Sequence, residues 1–245
     1  MCRVLLMNKQ GEKEIENIYG LDKYLKYLEK QMGGHGNGFA LMKDGKVTKL
    51  EKGVNLDVRD IANVFRKTDY DWAIFHTRLA SIGTISDSNC HPFMRGETVV
   101  AMNGTENSVG FLAKTKGITD TEAILETMEK YHLSLAALKN FSSIFVGFYK
   151  HKPFVVADNT LRIKIFKKKN SNAVVFASSF PKKFKNIYEP KDCFTWNGGK
   201  LNIELEKHKK RYFPVYYDDY IYQEDLYGQC YLETLEKEGG KVAWN

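Results

Sequence analysis

The second residue is the strongest candidate for chemistry in this sequence. A small side chain after Met1 favours removal of the initiator, which leaves Cys2 with a free α-amino group. An α-amine titrates at about 7.7–8.0 and a thiol near 8.5, so the amine can accept the thiol proton and one residue supplies both nucleophile and base. A second group is His76-Thr77-Arg78-Leu79-Ala80-Ser81-Ile82-Gly83, where a guanidinium at a strand end can grip a carboxylate through two parallel hydrogen bonds. Further along, Asn103 and Gly104 close an apolar run, and an Asn amide beside a Gly N–H can converge on an oxyanion. Asp120 follows Thr119 at a helix start, where the dipole favours an acid and a carboxylate can also pair with an ammonium group. Each has an ordinary alternative: accident for Cys2, a surface ion pair for Arg78, a plain turn for Asn103-Gly104, a dipole contact for Asp120. His76 and His91 read as structural, since nothing in the sequence places them beside a nucleophile.

Groups of this kind need a rigid frame. The apolar run 3–7 reads as a buried strand beginning just after Cys2. Leu21, Tyr24, Leu25, Leu28 and Met32 recur at helical spacing until Gly33-Gly34 ends the pattern. Strands at 39–42 and 46–50 flank Asp44-Gly45, a hairpin signal, and a helix over 57–67 turns Val58, Ile61 and Phe65 inward. Strands at 72–76 and 98–102 deliver the Arg78 and Asn103 segments. Thr119 and Glu122 form a capping box opening a helix with Ile124, Leu125 and Met128 on one face. A helical piece near 133–138 precedes four strand-like runs at 142–149, 153–157, 161–166 and 173–178. Lys164 and Lys167 to Lys169 read as edge-strand protection. Strands, helices and strands again suit two packed sheets with helices outside.

The 245 residues suit one sizeable domain, and 43% hydrophobic with 27% charged residues is ordinary globular composition. No run approaches a membrane span, and the N-terminus lacks the pattern of a signal peptide, so a cytoplasmic protein is expected. Cys2, Cys90, Cys193 and Cys230 form no C-x-x-C pair, which argues against zinc and against a disulfide framework. The net charge of +7 is uneven: 16 Lys/Arg against 5 Asp/Glu over 146–211, then 2 against 7 over 212–245. Without aromatic interleaving the basic stretch reads as a solvated face, and a nucleic-acid partner is not expected. No phosphate loop, dinucleotide fingerprint or metal-ligand cluster occurs, so no cofactor and no metal are expected.

Together and in this order the motifs are specific. Cys at position 2, HTR-x-A-[ST]-x-G, N-x-HPF, a strand ending in NG, and [ST]-DTE resemble the class II glutamine amidotransferases. These are the N-terminal nucleophile glutaminase domains of glucosamine-6-phosphate synthase, amidophosphoribosyltransferase and asparagine synthetase. The glycine-rich segment 33–40 and the run ending in Phe176-Ala177-Ser178-Ser179 also fit, so the resemblance covers about residues 2–190. It implies an α+β fold, a four-layer αββα sandwich of two mostly antiparallel sheets, with Cys2 heading a central strand. It also implies glutamine as substrate: Cys2 attacks the side-chain amide, Asn103 and the Gly104 N–H hold the oxyanion, Arg78 with Ser81 holds the α-carboxylate, and Asp120 holds the α-ammonium. Leu79, Ile82, Met102 and Cys90 depart from the residues common at these places, without removing a catalytic group.

The expected layout is a glutaminase domain over 2–195 and a tyrosine-rich acidic extension over 196–245, packed on the domain or a partner; seven of the fourteen tyrosines lie in 212–245. An ammonia-acceptor synthase would be a separate polypeptide. Hydrolysis of other γ-glutamyl amides, and a non-catalytic regulatory or binding subunit, are the competing expectations.

Overall fold

A computed structural model of the chain describes residues 2–158, 160–168, 170–190, 193–199 and 201. The chain opens with β1 (Arg3–Asn8), α1 (Lys9–Ile18) and α2 (Leu21–Met32), then β2 (Asn37–Lys43), β3 (Lys46–Gly53), α3 (Val58–Lys67) and β4 (Trp72–Thr77). A long loop leads to β5 (Phe93–Arg95) and β6 (Thr98–Asn103), followed by α4 (Gly110–Lys116) and α5 (Asp120–Lys130). Then come β7 (Ile144–Tyr149), β8 (Lys152–Ala157), β9 (Lys164–Lys167), β10 (Val174–Ala177), β11 (Ile187–Tyr188) and β12 (Phe194–Trp196).

The strands form two sheets, ordered β11-β9-β10-β1-β4-β2-β3 and β12-β8-β7-β6-β5. Every pairing among the described residues is antiparallel. Three apolar cores separate four layers. In β1, Leu5 and Met7 face a core shared with Ile15, Leu25, Leu28 and Phe65 of α1 to α3. Val4 and Leu6, one residue out of step, face a core between the sheets with Val99, Ala101, Val146 and Val155. On the far side of the second sheet, Val100, Met102 and Phe145 pack with Ile124, Leu125 and Met128 of α5. Alternation with period two on strands buried on both faces is why these segments read as continuous apolar runs. The architecture is the expected αββα sandwich.

Local chemistry sets the element ends. Asn8 Oδ1 accepts from Gly11 N at 2.8 Å and Asp57 Oδ1 from Arg59 N at 2.7 Å, capping α1 and α3. Thr119 Oγ1 accepts from Glu122 N at 3.2 Å, the cap expected for α5. The β2–β3 turn uses left-handed Asp44 (φ 49°) and Gly45 (φ 74°).

Several elements depart from the sequence expectation. Helix α1 was not anticipated, because its buried face is made of Gly11, Glu12, Glu14 and Ile15. Glu12 is held by the Tyr70 hydroxyl at 2.6 Å and Glu14 by Lys168 at 3.0 Å, so partners replace the missing apolar stripe. Strand β5 and helix α4 are too short for a periodic signal, and the 133–138 piece is a 3-10 segment, Leu135–Asn140. The lysines of β9 do not guard an edge, since β9 lies between β10 and β11. Lys164 pairs with Glu189, Lys167 donates to the Leu201 carbonyl and Lys168 meets Glu14; Lys169 lies outside the described residues. Beyond the expected domain limit, Trp196 and Leu201 belong to the inter-sheet core. The tyrosine-rich segment 212–245 also lies outside the described residues.

Candidate active site

Strand β1 is central in its sheet, flanked by β10 and β4, and Cys2 immediately precedes it. Its side chain is buried against the turn that follows β4. The Leu79 N–H donates to Cys2 Sγ at 3.4 Å, and the Sγ–H donates to the Leu79 carbonyl at 3.6 Å. Burial pushes the Cys2 thiol up, while the Leu79 N–H favours the thiolate.

One pocket is lined by Cys2, Arg78, Leu79, Ala80, Ser81, Ile82, His91, Met102, Gly104, Thr119 and Asp120. Five of the six sequence-derived candidates therefore meet in one place, brought from β1, the loops after β4 and β6, and the start of α5. The sixth, Asn103, is buried but absent from the pocket wall, and its amide donates to Ser178 Oγ at 3.1 Å. Its Oδ1 is buried with no hydrogen-bond partner among the described residues.

Arg78 is almost wholly buried and already engaged. It donates to the carbonyls of Thr84 at 2.7 Å, Ile82 at 3.0 Å and Gly83 at 3.3 Å. Those bonds shape the loop, and a guanidinium with five N–H groups has at most two left for a ligand. Burial lowers the Arg78 pKa, and nearby Cys90, Cys2 and Asp120 oppose that shift. Ser81 Oγ pairs with Thr105 Oγ1 at 2.8 Å, joining the two loops that wall the pocket. Asp120 accepts from Glu106 N and from its neighbour Thr121 N, both at 2.9 Å. Burial raises its carboxyl, and these backbone donors and Arg78 counter the rise.

Gly104 permits a close approach that no other residue would. A Cβ there would lie 1.9 Å from Ser143 Oγ and 2.6 Å from Ser143 Cβ. The glycine-rich segment before β2 works the same way, because a Cβ on Gly38 would lie 2.1 Å from the His91 carbonyl.

Two residues acquire parts that the sequence did not disclose. His91 was expected to be structural only, yet it forms part of the pocket wall with Cys2. Its ring stacks on His76 with centroids 4.1 Å apart, and both rings are tied to one residue of β6. The Met102 N–H donates to His91 Nδ1 at 3.3 Å, and His76 Nε2–H donates to the Met102 carbonyl at 3.1 Å. Burial pushes His76 down to about 3 and His91 well below the ordinary range, so both stay neutral and His91 carries its proton on Nε2. His35 braces the opposite loop: its Nδ1 accepts from Ala80 N at 3.0 Å and its backbone N–H donates to the Arg78 carbonyl at 2.9 Å. Its place inside the glycine-rich segment was the only sequence signal.

Among the described residues no group of three or more His, Cys, Asp or Glu side chains could hold a metal ion. No helix among them is long and apolar enough to cross a membrane.

No protein-family model matches the sequence, and a comparison with curated proteins gives no match. Solved structures do match. A glutamine phosphoribosylpyrophosphate (PRPP) amidotransferase from B. subtilis, complexed with ADP and GMP, superposes over 82% of this chain with TM-score 0.54 at 16% identity. A structure described as the allosteric regulatory enzyme of purine biosynthesis superposes over 82% with TM-score 0.51 at 19% identity. The match spans 50% of each of those chains, so this chain corresponds to about half of their length. The chain therefore has the N-terminal nucleophile hydrolase fold that its motifs led us to expect, shared with about half the length of a PRPP amidotransferase.

Proposed function

We propose that the protein releases ammonia from the side-chain amide of glutamine, with Cys2 as nucleophile once Met1 is removed. The observation that carries this reading is the convergence of Cys2, Arg78, Ser81, Gly104 and Asp120 on one pocket. A free amino acid needs one fixed cation and one fixed anion beside the reacting atom, and Arg78 and Asp120 are the charged residues of that wall. The α-amine of Cys2 takes the thiol proton, and the thiolate adds to the γ-amide carbon. Charge then builds on the amide oxygen, for which the Gly104 N–H and the second N–H of the Asn103 amide are the donors. The Cys2 α-ammonium returns that proton to the amide nitrogen, and collapse breaks the C–N bond and expels ammonia. Water then hydrolyses the thioester left behind to glutamate and free Cys2. The ammonia serves an acceptor reaction outside the described residues.

The test is the intact mass of purified protein before and after 6-diazo-5-oxo-L-norleucine, a reactive glutamine analogue, beside Cys2→Ala. The expected result is loss of the Met1 mass and a single adduct absent from the variant. Retained Met1, or no adduct, would overturn the reading and leave a binding subunit as the better account.

A further inference from the structure

Glu106 lies two residues beyond Gly104 and contributes nothing to the pocket wall, yet it touches both sides of the site from behind. Its backbone N–H donates to Asp120 Oδ2 at 2.9 Å. Its carboxylate accepts from the hydroxyl of Ser143, the buried side chain that packs against the bare Cα of Gly104. One residue thus connects the glycine proposed for the oxyanion to the acid proposed for the ammonium. Its electrostatic surroundings are equally particular. Asp120 faces it from the start of α5 and Asp158 from the end of β8, with the Ser143 hydroxyl and the Ser142 N–H opposing them. Among the described residues no lysine or arginine forms an ion pair with Glu106 or Asp120, although Arg78 attracts Asp120 from a distance. Two buried carboxylates such as Glu106 and Asp120 with no ion-pair partner among the described residues are costly, and a small cation arriving beside them removes that cost.

We infer that Glu106 is a positioning residue for the ammonium end of the substrate, tying Asp120 to the Gly104 wall and adding a second, titratable negative charge behind it. The inference rests on the glutamine reading above. Burial pushes the Glu106 carboxyl up to about 7, with Ser143 countering and Asp120 adding to the rise. Above that pH two negative charges attract the ammonium, and below it Glu106 is neutral and Asp120 acts alone. Binding of an α-ammonium compound then strengthens as pH rises through neutrality and releases a proton.

The experiment measures KM and kcat for glutamine from pH 6 to pH 8 in the wild type and in Glu106→Gln. It adds, in the wild type, the inhibition constant of glutaramate, which is glutamine without its α-ammonium. Wild-type KM is expected to fall about fivefold over that range, the size of a partly screened charge contact. Glu106→Gln should hold the pH 6 value throughout, with the change confined to KM, and glutaramate should bind equally at both ends. A wild-type KM that does not vary with pH would overturn the inference. So would glutaramate following glutamine, or Glu106→Gln keeping the wild-type slope. The glutaramate comparison needs no variant and decides the matter even if Glu106→Gln does not fold. A wild type that turns over no glutamine at any pH sinks the underlying reading instead, so the two failures are distinct.

Discussion

Replacing Gly104 with alanine tests the site at the point of tightest packing. The new methyl would lie 1.9 Å from Ser143 Oγ, 2.6 Å from its Cβ and 3.1 Å from its Cα. The first two are well inside normal heavy-atom contact, near 3.5–4.0 Å. Ser143 has no room to turn away, because it is buried and its hydroxyl is held by Glu106. The Gly104 peptide must therefore shift, at a cost of about 1–3 kcal/mol for overpacking. The same shift moves the proposed oxyanion donor, and loss of one such donor lowers kcat by about 10²–10³, or roughly 2.7–4 kcal/mol. Thermal unfolding reads the first effect, and glutamine turnover with the rate of Cys2 labelling reads the second. Ser143→Gly in the same chain removes the Oγ and Cβ contacts, so the double variant should recover about tenfold or more of the lost rate through coupling between touching residues. Gly104→Ala within about twofold of wild type in turnover and labelling would refute the reasoning, since a donor so placed carries far more. A double variant no faster than the single one would show that Ser143 is not the cause.

Two further outcomes follow from buried charge. Arg78→Lys keeps the positive charge but cannot reach the Thr84, Ile82 and Gly83 carbonyls together. Unmet carbonyls should lower stability by about 2–4 kcal/mol, and an unchanged melting temperature would show that the loop holds itself. His76 titrates at about 3 in the folded protein against 6.5 when unfolded, so the unfolded chain binds the extra proton between those values. Stability is full above pH 6.5 and declines as pH falls toward 3, by on the order of 4 kcal/mol from this residue. A His76→Gln variant should show a shallower fall of melting temperature over that window, and an unaltered slope would place the acid sensitivity elsewhere.

What was legible in the sequence follows from locality. The strand after Cys2, the α2 and α3 helices, the Asp44-Gly45 turn and the Thr119 cap are set by spacing and by side chains a few residues apart. Such signals survive without tertiary context. The motifs also carried the identity of the candidate groups, because Arg78 and Asn103-Gly104 sit at the ends of strands that the pattern reveals and Asp120 opens a helix marked by its Thr119 cap. Helix α1 escaped because its inward face is acidic; Lys9 helps Glu12 locally, but the Tyr70 hydroxyl on Glu12 and Lys168 on Glu14 come from far away in sequence. The tertiary structure alone turned the Asn103 amide toward Ser178 and committed Arg78 to three loop carbonyls. It also moved His91 into the pocket wall and set Glu106 behind Asp120. Each of these depends on which strand lies beside which and on how deeply a group is removed from water. Residue type and spacing specify what chemistry is available, whereas burial and long-range pairing decide which atoms are free to perform it.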